Sequence, residues 1–138
     1  MKRDGILNPG IMTAISSVGH TDIICIADAG LPIAEECNRI DISLVKNIPT
    51  FMDTLRAVKN EMVVESIVLA EEIKQASPEL LEKIKQSLSG INIEYVAHEE
   101  FKRQLILTKA VIRTGECTPY ANILLKSGVI KLQFGSKC

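Results

Sequence analysis

The chain has 138 residues, with 16 basic and 17 acidic side chains, a net charge of -1, no basic cluster, two Tyr, three Phe and no Trp. One domain with a real core fits that length, and the balance excludes a phosphate-tracking surface and an aromatic platform for stacked bases or sugar rings. Hydrophobic residues make up 46%, yet apolar runs such as Ile23-Ile24-Cys25-Ile26-Ala27 fall far short of the ~20 residues of a membrane span.

In chain order, Asn8-Pro9 reads as an N-cap followed by proline at the first helical position. Ile11, Ile15 and Val18 keep helical spacing until Gly19. Asp22 to Ala27 is an apolar run without alternation, as in a strand buried on both faces. Ala29-Gly30-Leu31-Pro32 turns, and Ile40 to Leu44 alternates as a half-buried strand does. Pro49-Thr50 opens a second helix, with Phe51, Leu55 and Val58 on one face. Met62 to Leu69 is a β-branched run and predicts a strand. Ser77-Pro78 repeats the cap-plus-proline signal ahead of Leu80, Leu81, Ile84 and Leu88, a stripe that Gly90 ends. Ile91 to Val96 then reads as a strand, and His98 to Leu107 as a helix with Phe101 and Leu105 inward. Lys109 to Thr114 reads as a strand, and Ala121 to Leu132 as one or two closing strands around Ser127-Gly128. Helices and strands alternating through one chain predict a single layered α/β domain over residues 1–138.

Four cysteines, Cys25, Cys37, Cys117 and Cys138, form no Cys-x-x-Cys pair, which removes the usual zinc-ribbon and thioredoxin readings. Cys25 lies in an apolar run and is expected to be a buried thiol. Asn8 and Pro9 interrupt any leader-like core after the basic start, so a reduced, cytoplasmic setting is expected. The surplus apolar surface of so small a chain is expected at contacts between identical subunits.

The glycines make no phosphate loop, and no serine or cysteine triad is marked. The most informative segment is Ser17-Val18-Gly19-His20-Thr21-Asp22, where a helical pattern ends and one polar turn carries one of only two histidines. Histidine is both a usable acid and a usable base near neutrality. The plain alternative is a surface histidine in a turn. Asp28 ends the apolar strand, at the rim where open α/β sheets place ligand groups, or else it caps the Ala29-Gly30 turn. His98 follows a strand and precedes Glu99-Glu100, which also suits a structural place near a helix cap. Tyr120 and Asn122 are two apart, so in a strand they share a face. That face would offer a hydroxyl and an amide to a polyol, unless the Tyr is packed and the Asn turns the chain. A metal site from His20, His98 and Asp22 or Asp28 is a further reading, although no ligand pair has short helical spacing.

The blocks Gly19-His20-Thr21-Asp22-Ile23, Ile26-Ala27-Asp28-Ala29-Gly30-Leu31-Pro32, His98, and Tyr120-Ala121-Asn122-Ile123-Leu124-Leu125-Lys126-Ser127-Gly128-Val129 resemble the D-ribose pyranase family. The related L-fucose mutarotases share its outline, and the likeness runs from about residue 2 to about residue 134. The resemblance implies a three-layer α/β domain with a mainly parallel central sheet, packed into rings that pair as a homodecamer. It implies conversion of D-ribose between pyranose and furanose forms, supplying the furanose that ribokinase phosphorylates. Carried onto this sequence, His20 is the catalytic acid, and Asp28, His98, Tyr120, Ala121 and Asn122 contact the sugar. Asp28 then either holds His20 in one tautomer or accepts a sugar hydroxyl. No cofactor, metal, nucleic acid or membrane insertion is implied. An L-fucose-type mutarotase and a non-catalytic sugar-binding regulator are the alternative readings.

Overall fold

The computed structural model describes residues 1–131. The element order is α1 (Pro9–Ser17), β1 (Ile23–Ala27), β2 (Arg39–Asp41), α2 (Phe51–Lys59), β3 (Val64–Ala70), α3 (Ile73–Ala76), α4 (Pro78–Ser87), β4 (Asn92–Val96), α5 (His98–Gln104), β5 (Ala110–Arg113) and β6 (Ile123–Ser127). A short 3-10 turn, Leu105–Leu107, extends α5 as the expected helix did. The strands form one sheet in the order β2-β5-β1-β6-β3-β4. Five run the same way, and β6 alone is antiparallel to both of its neighbours, β1 and β3. The sheet is thus mainly parallel, with its last strand threaded backwards through the middle.

Alternation through β1 divides the core. Ile24 and Ile26 point to a cluster built with α1, α2 and α4, including Ile11, Leu55 and Ile84. Cys25 and Ala27 point to the opposite cluster with Phe101, Leu105 and Leu124. Every residue from Ile24 to Ala27 is fully buried, which is why the run lacks polar positions. Helices on both sheet faces give the three layers.

Asn8 accepts from the Ile11 N–H at 2.9 Å and caps α1 as expected. The helix stops at Ser17 rather than at Gly19. Thr13 and Ser17 hydroxyls donate back to carbonyls of the preceding turn, Val18 is extended, and the Gly19 N–H is taken by Asp22 Oδ2 at 2.9 Å. The second strand is also shorter than its alternation suggests. The Asp41 side chain accepts from both the backbone and the hydroxyl of Ser43 and turns the chain away. Leu44, Val45 and Ile48 beyond it are exposed. The closing region contains one strand among the described residues, and residue 132 and the tail 136–138 lie outside them.

Candidate functional site

Asp28 leaves the C-terminal end of β1 and is held on several sides. Its N–H donates to Asn122 Oδ1 at 2.8 Å, Asn122 Nδ2 donates to Asp28 Oδ2 at 3.0 Å, and the Gly30 N–H donates to Asp28 Oδ1 at 2.9 Å. Asn122 is fully buried, as is Ala121. Tyr120 departs from the expected strand: its φ is +60°, and the Asn122 N–H turns back to the Tyr120 carbonyl at 2.9 Å. Tyr120 and Asn122 therefore do not present one shared face. Tyr120 faces the cleft, while Asn122 sits underneath and fixes Asp28. A left-handed backbone at a bulky residue is costly and is held only where the surroundings over-determine it.

His98 opens α5, just beyond the end of β4. Its backbone N–H donates to both carboxylate oxygens of Glu72, at 3.0 and 3.1 Å, so Glu72 supplies the cap that Ala97 lacks. The imidazole meets Tyr120 edge-on at 5.0 Å and stacks near Phe101 at 6.5 Å. His98 Nδ1 is buried and is the one such side-chain atom without a hydrogen-bond partner among the described residues. A buried polar group left without a partner costs about 1–3 kcal/mol.

Asp28, Gly30, Leu31, His98, Glu116 and Tyr120 line a cleft of about 550 Å³. Its floor is braced by residues that sequence reasoning missed. Arg113 donates to the Ala29 carbonyl through Nε and Nη2, at 3.0 and 2.9 Å, and to Asp41 Oδ2 through Nη1 at 2.8 Å. Buried Glu116 accepts from the Phe51 N–H at 2.9 Å and the Thr118 hydroxyl at 2.8 Å, tying the cleft wall to the start of α2. The available signal was a single arginine ending an apolar run and a lone acid in a turn. A larger recess, about 760 Å³, lies beyond Glu116 and Pro119 between the N-terminal ends of α2 and α4. No histidine and none of the predicted residues line it.

Cys25 lies under Asp28 as an inert filler. Burial pushes its thiol far up, and the charge of Asp28 and the nearby Cys37 add to the effect.

His20 is at the other pole. Thr21 N–H donates to the Ser127 carbonyl at 2.9 Å, and Ser127 N–H to the Asp22 carbonyl at 2.8 Å, so the His20 turn is pinned to the end of β6. Asp22 and Asp28 are separated along β1 by roughly 20 Å, at ~3.3 Å per residue. Within one chain Asp28 therefore cannot orient His20, and the two histidines cannot share a metal. The partner of His20 is instead Glu65, whose Oε1 lies 2.9 Å from Nε2, with both side chains about half exposed. This hydrogen bond holds the Glu65 carboxyl below the ordinary carboxylate range; Lys126 and Lys131 act in the same direction.

The model of the RbsD / FucU transport protein family matches residues 1–130. The chain belongs to this family. Among RbsD / FucU relatives, it is 58% identical over 129 residues to the D-ribose pyranase of Geobacillus thermodenitrificans, covering 94% of this chain and 98% of that one. It is 52% identical to the D-ribose pyranase of Clostridium novyi, over 94% and 99% of the two chains. The structure of Bacillus subtilis RbsD complexed with D-ribose superposes with a TM-score of 0.91 at 46% identity, covering 94% and 99%. The Streptococcus pneumoniae fucose mutarotase in complex with L-fucose is more distant, with a TM-score of 0.77 at 27% identity over 90% and 94%.

Proposed function

We propose that this chain is an isomerase that interconverts the pyranose and furanose forms of D-ribose by acid–base ring opening and reclosure. The observation that carries the reading is the 58% identity, over 94% of this chain, to a protein named D-ribose pyranase. The cleft supports it. A carboxylate, an imidazole and a phenol line it, polar groups that can meet the hydroxyls of a small polyol.

The anomeric hydroxyl loses its proton, the bond from C1 to the ring oxygen breaks, and that oxygen receives a proton, leaving the open aldehyde. The C4 hydroxyl then adds to C1 with the reverse pair of transfers. No electrons leave the sugar. His20 is the acid, and Asp28, His98 and Tyr120 hold the hydroxyls from the cleft, with Ala121 and Asn122 beneath fixing their positions. General acid–base catalysis contributes about 10²–10⁴-fold.

Because His20 and the cleft occupy opposite poles of one chain, the working site takes His20 from a second copy. A closed ring of identical subunits does this with one repeated contact, and paired rings making a homodecamer fit the reading. Exposed Leu44, Val45, Ile48, Ile106 and Leu107 supply apolar surface for such contacts. No helix among the described residues is long and apolar enough to cross a membrane. The resemblance to the D-ribose pyranases supports a cytoplasmic enzyme, whose furanose product serves ribokinase.

Saturation-transfer NMR on D-ribose and L-fucose, run side by side, tests the reaction. Accelerated pyranose–furanose exchange of ribose is expected. Faster α/β exchange of fucose than of ribose assigns the chain to the mutarotase branch, and resonance shifts without exchange reduce it to a binding protein. Mixing His20→Ala with Asp28→Asn subunits tests the shared site: random reassembly restores about a quarter of the wild-type sites if His20 crosses a subunit boundary, and none if it does not.

A further inference from the structure

Glu65 is the extra residue of a β-bulge. β3 pairs Ser66 with Lys126 and Val64 with Ser127, leaving Glu65 opposite no residue of β6. In an unbroken strand Glu65 would share the face of Ile67 and Leu69, both fully buried in the core that α2 and α4 cover. A carboxylate there would lose its water without gaining a partner. The bulge gives the inward place to Val64, which packs on that core, and sends the Glu65 carboxylate to His20 Nε2. Gly128 backs the arrangement. Its N–H donates to the Val63 carbonyl at 2.8 Å, and a Cβ on it would stand 3.1 Å from Val63 Cγ1 and 3.4 Å from Glu65 Cβ. The residues that pin the His20 turn, Ser127 and its neighbour Gly128, thus also seat the bulge.

We propose that Glu65 is the positioning residue of His20: its carboxylate keeps the proton on Nε2, so that Nδ1 is the nitrogen presented to the sugar. This rests on His20 being the acid of the ring-opening reaction. When the imidazolium gives its Nδ1 proton to the ring oxygen, the neutral ring is left with its remaining proton on Nε2, donated to Glu65. Nδ1 is then a free lone pair, ready to take a proton back at reclosure. A ring that could relax to the other tautomer would turn a proton toward the sugar at the step that needs an acceptor. An orienting carboxylate behind an imidazole meets this requirement wherever it arises. Among the described residues, Glu65 is the carboxylate that the ring meets, while Asp22 Oδ2 accepts from the Gly19 N–H.

The test uses full-length assembled protein labelled with ¹⁵N histidine, which contains only two imidazoles; the set that vanishes in His20→Ala is His20. Solid-state NMR of the neutral imidazoles is expected to show a single His20 tautomer in the wild type, protonated at Nε2. Glu65→Ala is expected to show both tautomers and a kcat for ribose exchange lower by about 10–100-fold with KM little changed, a part of the full acid–base factor. Glu65→Gln, which keeps an acceptor of the same length, should fall between. Unchanged His20 nitrogen shifts in Glu65→Ala overturn the proposal, as does an unchanged kcat in that variant. If His20→Ala keeps its exchange rate, the reading of His20 as the acid falls instead, and the tautomer spectrum still judges what Glu65 does to the ring.

Discussion

At the C-terminal end of β1, Asp28 is fixed by three hydrogen bonds from its own chain, two of them shared with a fully buried Asn122. At the N-terminal end, His20 has one side-chain partner and stands half exposed. The first pole is a finished cup, whose ordering was completed when the chain folded. The second is a projecting group aimed by a single contact. Function and stability should accordingly separate at the His20 pole and travel together at the Asp28 pole.

Breaking the exposed pole gives the largest functional effect. His20→Ala should slow ribose ring exchange by about 10²–10⁴-fold, while thermal unfolding moves by no more than the roughly 0.5 kcal/mol of a surface change. NMR exchange and calorimetry on the same sample check both halves. Asn122→Ala attacks the finished pole. The Asp28 N–H and one carboxylate oxygen lose their partner, so a loss of about 1–3 kcal/mol is expected, together with a raised KM for ribose. Unchanged stability in that variant would erase the contrast between the poles.

Gly115→Ala sharpens the comparison at one remove. A Cβ there would lie 2.5 Å from the backbone oxygens of both Val45 and Ile48, so the loop leading to Glu116 must shift, at about 1–3 kcal/mol. Ribose binding should weaken while the His20 tautomer spectrum stays as it was. The smallest effect concerns pH. The hydrogen bond from Ser43, then Arg113, holds the Asp41 carboxyl below the ordinary carboxylate range. A depressed folded-state value stabilises above the unfolded one, and the contribution is lost as pH falls through the lowered value. Asp41→Asn should therefore flatten the acid side of the stability curve and leave neutral-pH exchange nearly intact, because the Arg113 contacts to Ala29 remain.

Much of this was legible in the sequence. The caps at Asn8 and Thr50 are local chemistry, and each is seen with the predicted hydrogen bond or helix start. The run from Ile24 to Ala27 announced its own burial, and Asp28 followed from its place at a strand end. What could not be read depends on partners distant in sequence. Nothing near Ile123 says that β6 runs backwards between β1 and β3. The parity break between Glu65 and Ile67 was present, but a β-branched run from Met62 to Leu69 hides one acid that must leave the buried face. Thr21 and Tyr120 have φ of +72° and +60°, beside His20 and in the cleft, at residue types for which sequence predicts ordinary backbone. The separation of His20 from Asp28 needed only a count along β1, which closeness in sequence obscured.

The reversed strand has one more consequence. Ile123–Ser127 runs from the Asn122 that grips Asp28 to the Gly128 that seats the bulge, so five residues act as a spacer gauge between the two half-sites. Because side chains in a strand change face at every step, that gauge has no half measures. An insertion or deletion of one residue inside it would point either the amide or the serine–glycine corner to the wrong side of the sheet. Only even changes in length could be absorbed, and each would move one half-site by about 6–7 Å.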